Sequence, residues 1–207
     1  MGNECRFCKI KAGMQKYGII DKPLFENKDF FVLSSIGSLV EGWLLVIPKE
    51  HRYNMSKDYG DKNFWGFIYS IIVKLKSKVG QEKNFLIFEH GANHCGSLTG
   101  CGTDHAHLHI VPYDKSLYGK IKNERNWQLC AINEIEDYVN GREYLLYAEC
   151  DNDIKLSEVY INLVEHPESQ FFRKIIAEDM GKKELFDYKT YPNIDISEMV
   201  CEMFGGK

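Results

Sequence analysis

Between Asp104 and Tyr113 the chain reads His105-Ala106-His107-Leu108-His109-Ile110-Val111-Pro112. Alternation with period two, closing in β-branched residues and a proline, predicts a strand with the three imidazoles on one face and Ala106, Leu108 and Ile110 packed on the other. Three titratable rings held by one strand backbone need a functional reason. Histidine serves as a nucleophile at phosphorus, as a general acid or base near neutral pH, or as a metal ligand. Packed or solvated rings, and direct chelation of a catalytic metal by a His-x-His pair, are the competing readings.

The remaining composition narrows the setting. A chain of 207 residues is long enough to bury a real core, as one domain or as a domain with a substantial appendage. A formal charge of −4 and a pI near 6.0 argue against a nonspecific nucleic-acid binder, which needs a surplus of Lys and Arg, but not against a small nucleotide ligand. No apolar signal region opens the sequence. The most apolar stretch, near Phe67 to Val73, is too short and too interrupted by charge to span a bilayer, so a soluble, cytoplasmic protein is expected. Seven cysteines, an odd number without a secretory signal, suit a reducing compartment better than a disulfide framework.

Cys5 and Cys8 form a C-x-x-C pair whose spacing lets both thiolates reach one ion. No βαβ context supports a thioredoxin-type redox motif, so zinc is the better reading, against two free cysteines near a frayed end. Phe30 to Ser34 and Trp43 to Ile47, separated by Gly37 and Gly42, read as consecutive antiparallel strands, the second ending at Pro48. From about Asp58 to Val79, Phe64, Phe67, Ile68, Ile71, Ile72 and Leu75 recur at helical spacing. Asn84 to Glu89 returns as a strand. The loop that follows, Gly91 to Asp104, holds four glycines, and it suits backbone N–H groups approaching an anion or a plain flexible connection. His90 and His94 read as surface or supporting residues.

Beyond Pro112, Lys115 to Asn126 reads as a basic loop whose lysines face outer phosphates of a substrate. Tyr144 to Ala148 and Val159 to Val164 read as added strands. His166 to Gly181 carries helix punctuation at both ends and buries Phe171, Phe172, Ile175 and Ile176. Arg173 on its edge suits a bidentate phosphate clamp, against an ordinary solvated helix face.

The alternating run resembles the signature of the histidine triad superfamily of nucleotide hydrolases and transferases. Cys5-Arg6-Phe7-Cys8-Lys9-Ile10 and Leu45-Val46-Ile47-Pro48-Lys49-Glu50-His51 resemble that family's other landmarks, in the same order. The resemblance spans about the first three-fifths of the chain. It implies His51 and His105 as the further ligands of a structural Cys2His2 zinc with Cys5 and Cys8. It also implies His107 as the nucleophile and His109 as a stabiliser of charge on the phosphoryl oxygens. Phe7, Ile10, Leu33 and Ile36 match its base pocket, and Gly100, Gly102 and Thr103 its phosphate loop. Ser35 stands where some members place an acid that grips the ribose; Gly102 stands where some place a phosphate-binding serine, for which Ser97, Thr99 or Thr103 would substitute.

The expected fold is therefore α+β: an antiparallel sheet of about five strands with helices on one side over residues 1–125, and a C-terminal α/β extension over 126–207. The expected activity is hydrolysis of a nucleotide conjugate at its α-phosphorus through a nucleotidyl-histidine. The alternatives are a nucleotidyltransferase or phosphorylase using phosphate or a sugar phosphate, and a noncatalytic nucleotide-binding module. The implied partner is a small nucleotide rather than a nucleic-acid polymer or a membrane, and the resemblance implies a homodimer.

Overall fold

The computed structural model describes residues 5–205. Its centre is a single antiparallel sheet of eight strands. In chain order these are β1 (Phe25–Glu26), β2 (Phe30–Ser34), β3 (Leu44–Pro48), β4 (Phe85–Gly91), β5 (Leu108–Pro112), β6 (Gln128–Leu129), β7 (Tyr144–Cys150) and β8 (Tyr160–Leu163). Their order across the sheet is β1-β2-β3-β5-β4-β7-β8-β6. The expected five strands become eight because β7 pairs along the whole of β4, from Phe85↔Cys150 to Gly91↔Tyr144, so the C-terminal strands continue the sheet. Both outer strands are two residues long, which leaves little open ladder at either edge.

Among the described residues six α-helices accompany the sheet: α1 (Arg6–Lys11), α2 (Lys62–Val79), α3 (Tyr118–Ile121), α4 (Ile135–Val139), α5 (Phe171–Asp179) and α6 (Ile194–Met203). Asp61 begins α2 by accepting the Asn63 N–H, which satisfies one of the free donors of the first turn. Phe64, Ile68, Ile71, Ile72 and Leu75 of α2 pack with Val32, Leu44, Val46, Ile87, Leu108 and Ile110 on one face. The opposite face, carrying Phe31, Leu33, Leu45, Leu86, Phe88 and Val111, is covered by Phe7 and Ile10 of α1 and by Phe172 and Ile176 of α5. Helices thus lie on both sides rather than the expected one. The cause is legible in β2 and β3, whose residues are all buried and apolar at nearly every position, as strands covered on two faces must be.

The triad run also departs from an unbroken strand. Only Leu108–Pro112 is laddered; His105 lies at a bend, and Ala106 anchors the approach by donating to the Arg52 carbonyl across 2.7 Å. Lys115 to Asn126 folds partly as α3, and α5 begins at Phe171, after Gln170 in a left-handed conformation (φ 62°). No helix among the described residues is long and apolar enough to cross a membrane.

Candidate active site and metal centre

His105, His107 and His109 sit at the end of β5 where the sheet opens toward α1. The edge of the Phe7 ring meets His105 at 5.5 Å and His107 at 5.9 Å, and His107 and His109 lie 4.9 Å apart between ring centroids. All three are at least nine-tenths buried. Each ring has one nitrogen held by a partner that sets its proton. Nε2 of His105 lies 2.8 Å from the Pro48 carbonyl, which only accepts, so the proton is on Nε2 and the Nδ1 lone pair is free. Nδ1 of His107 lies 2.9 Å from the His105 carbonyl, so its free lone pair is on Nε2. His109 is the reverse: Trp43 donates its indole N–H to Nδ1 across 2.9 Å, leaving an N–H at Nε2.

Burial keeps these rings neutral. It pushes His107 below the usual histidine range, the His105 carbonyl working against it, and His109 well below, helped by His107, His90 and Arg173. His105 is held down to about 4, chiefly by burial.

The Nδ1 atom of His105 faces Cys5, Cys8 and His51. Its distances are 3.3 Å to the Cys5 Sγ, 3.7 Å to the Cys8 Sγ and 3.2 Å to Nδ1 of His51, and the Cys8 Sγ lies 3.3 Å from Nδ1 of His51. All four donor atoms fall within 4.8 Å of one another, a cluster able to hold one metal ion. Tetrahedral zinc with ordinary Zn–S and Zn–N bonds puts its ligand atoms about 3.3 to 3.8 Å apart, so the spacing fits. Burial and the adjacent Cys5 sulfur raise the Cys8 thiol to about 11.

A cavity of about 820 Å³ opens in front of His107 and His109. Of the residues expected at a substrate, Phe7, Ser35, Ile36, Gly102, Thr103 and Arg173 line it. Ile10, Leu33 and Gly100 do not. Ile10 and Leu33 are buried in the core behind Phe7, and Gly100 packs its backbone against Ala92 and Thr103. Ser97 and Thr99 turn inward, Ser97 accepting the Thr99 N–H and Thr99 donating to Glu143, so Thr103 is the hydroxyl residue of that loop at the cavity. Lys115 and Lys120 are away from it, both paired with Asp179.

The C-terminal segment forms much of the remaining wall. Tyr188, Lys189, Pro192, Ile194 and Glu198 line the cavity, and a strap from Asp187 to Asn193 closes over it. The strap is tied down where Gly37 donates its N–H to the Pro192 carbonyl (2.6 Å), Asn193 donates to the Ser38 carbonyl (2.9 Å) and the Tyr188 hydroxyl donates to the Cys101 carbonyl (2.9 Å). Arg173, read as a solvated or phosphate-facing residue, is only 4% exposed. It donates to the carbonyls of Phe186 (2.8 Å) and Gly37, and stacks over Trp43. None of these strap contacts has a local sequence signal, because they join residues 87 to 155 positions apart, from a polar segment without periodicity. His90, read as a surface or supporting residue, is buried and lines the cavity, whereas His94 is exposed.

No protein-family model matches the chain. An uncharacterized HIT-like protein of Methanocaldococcus jannaschii is 28% identical over 126 residues, which is 58% of this chain and 90% of that protein. The chain is thus similar to a HIT-like protein over nearly the whole length of that protein. Among solved structures, a HIT-like protein of Bartonella henselae superposes with a TM-score of 0.39 at 18% identity, covering 56% of this chain and 83% of that one. A zinc-bound histidine triad family protein of Mycobacterium smegmatis gives 0.36 at 21% identity, covering 54% and 76%. In this chain the three histidines differ by tautomer: His105 offers a lone pair toward the cysteines, His107 a lone pair toward the cavity, and His109 an N–H.

Proposed function

We propose that the protein is a nucleotide hydrolase acting at the α-phosphorus of a nucleotide conjugate, a dinucleoside polyphosphate, nucleoside phosphoramidate or related compound, through a nucleotidyl-histidine at His107. The observation that carries this reading is the His107 ring itself: neutral, clamped through Nδ1 by the His105 carbonyl, and lining the cavity with its Nε2 lone pair unoccupied. In this reading Nε2 forms a bond to phosphorus as the bond to the leaving atom breaks, and the leaving group departs with that electron pair. The Nε2–H of His109 donates to the phosphoryl oxygens as their charge shifts. Water then attacks phosphorus, the N–P bond breaks back to the imidazole, and a nucleoside monophosphate is released with a proton passing to solvent.

Nucleotidyl transfer or phosphorolysis, with phosphate or a sugar phosphate in place of water, is the second reading. It is favoured by the cationic Arg173 and Lys189 that the extension brings to the same cavity. We further propose that Cys5, Cys8, His51 and His105 hold one structural zinc. Zinc there supplies a cross-link between the N-terminus, the segment after β3 and the triad, and so fixes the carbonyl that holds His107.

Incubation with α-labelled nucleotide conjugate followed by alkaline denaturation tests the mechanism. Label on the wild-type protein and none on His107→Ala is the expected result; equal labelling of both, or full turnover by the variant, overturns it.

A further inference from the structure

His90 is the one histidine in the cavity that the tautomer scheme does not use. It is 4% exposed, lines the cavity, and has no hydrogen-bond partner at either ring nitrogen. In the β4–β5 ladder Phe88 pairs with His109, and His90 lies two residues further along the same face of β4. Its ring packs edge-on against Phe88, Phe172 and His109, at 5.9, 5.1 and 5.9 Å between centroids. Leaving two buried nitrogens unpaired is expensive for a residue whose only task is packing, since an apolar ring of similar size fills the space without that cost.

Arg173 poses a matching problem of charge. Its guanidinium is buried beside Trp43 and Tyr188, its partners among the described residues are backbone carbonyls, and no carboxylate pairs with it. A buried cation without a counter-ion calls for an anion. Lys189 stands nearby without an ion pair among the described residues, close enough to the Cys101–Thr103 turn that a Cβ on Gly102 would lie 2.7 Å from its Nζ. Three neutral histidines, a buried guanidinium and an ammonium therefore line one cavity. The carboxylate that lines it, Glu198, comes with Ile194 and Pro192, on the side bound to Ser35 through the Ser197 hydroxyl (2.7 Å to the Ser35 carbonyl).

We propose that His90 and Arg173, with Lys189 at the rim, form a second anion subsite beside His107. Its ligand is the phosphate-bearing group that leaves in the first displacement or accepts in the second. His90 supplies a neutral N–H to a phosphate oxygen, and Arg173 supplies the charge. The assignment rests on the nucleotidyl-transfer reading for its place in the reaction, but the binding of the anion does not.

His90→Phe keeps the aromatic packing and removes both nitrogens. Calorimetric titration of the full-length metal-loaded protein with inorganic pyrophosphate should show binding that this variant weakens about tenfold or more, the scale of a hydrogen bond to a charged group. AMP, which ends at the reacting phosphate, should bind within about threefold of wild type, and the melting temperature should stay level or rise because two unpaired polar atoms have gone. His90→Asn, which restores a donor, should recover part of the loss. In the labelling assay, slower loading of His90→Phe assigns the subsite to the leaving group, and loss of phosphate-accelerated release assigns it to the acceptor. Pyrophosphate that does not bind wild type, equal losses for pyrophosphate and AMP, or loading and release at wild-type rates each overturn the subsite. A wild-type protein that binds pyrophosphate but never takes up label instead sinks the nucleotidyl reading and leaves the subsite standing.

Discussion

The indole of Trp43 and the imidazole of His109, sixty-six positions apart, share a 2.9 Å hydrogen bond that decides where His109 carries its proton. An indole N–H only donates, so His109 must accept at Nδ1 and present N–H at Nε2. Trp43→Phe keeps an aromatic ring and deletes the donor. We expect kcat to fall by about tenfold or more with a smaller change in KM, since a group that acts on developing charge is being misdirected. Nitrogen NMR of labelled histidine should show His109 as a tautomer mixture; a single unchanged tautomer would refute the assignment.

The four-donor cluster should hold about one equivalent of zinc, and Cys8→Ser should lose most of it. Elemental analysis of protein purified without added metal is the check. The melting temperature should fall with the metal, because the cluster joins α1 to the segments carrying His51 and His105. Zinc content unchanged in Cys8→Ser would show that the metal, if present, lies elsewhere.

Glu89 makes stability depend on pH. Its carboxyl is fully buried, accepts from Tyr59 (2.6 Å), Tyr144 and the Met55 N–H (2.8 Å), and is raised by burial to about 7. The folded protein therefore holds a proton that the unfolded chain has released between about 4.5 and 7. That contribution is present below the lower value and is lost as pH rises through the upper one. Denaturant midpoints measured across this window should decline toward neutral pH from this group, and Glu89→Gln should flatten the decline. An identical pH profile in the variant would show that other groups govern it.

Gly37 anchors the strap from outside by donating its N–H to the Pro192 carbonyl. At φ 76° an alanine is strained, and its Cβ would run into the Cβ of Tyr188 and lie 2.9 Å from the Tyr188 Cα. Gly37→Ala should cost roughly 1 to 3 kcal/mol of stability. It should also raise KM more than it lowers kcat, because it displaces the cavity wall and leaves His107 and His109 in place. An equal fall in kcat would mean that the strap also positions the triad.

Much of the candidate site was legible in the linear chain because its residues are local. His105, His107 and His109 share one short run, Cys5 and Cys8 sit one helical turn apart, and β2, β3 and β5 are apolar runs, the last two ending at prolines. The period-two pattern also correctly separated Ala106, Leu108 and Ile110 from the rings. Tertiary structure decided everything that depends on distant contacts. The tautomers come from Pro48, Trp43 and the bend at His105. The extra strands join the sheet because β4 has a free edge for β7. Arg173 is drawn inside by carbonyls at Gly37 and Phe186, and His90 enters the cavity because it lies on the same face of β4 as Phe88, the partner of His109. Hydrophobic periodicity reports which face of an element is buried; which polar atoms then meet across that buried space is fixed only when the elements pack.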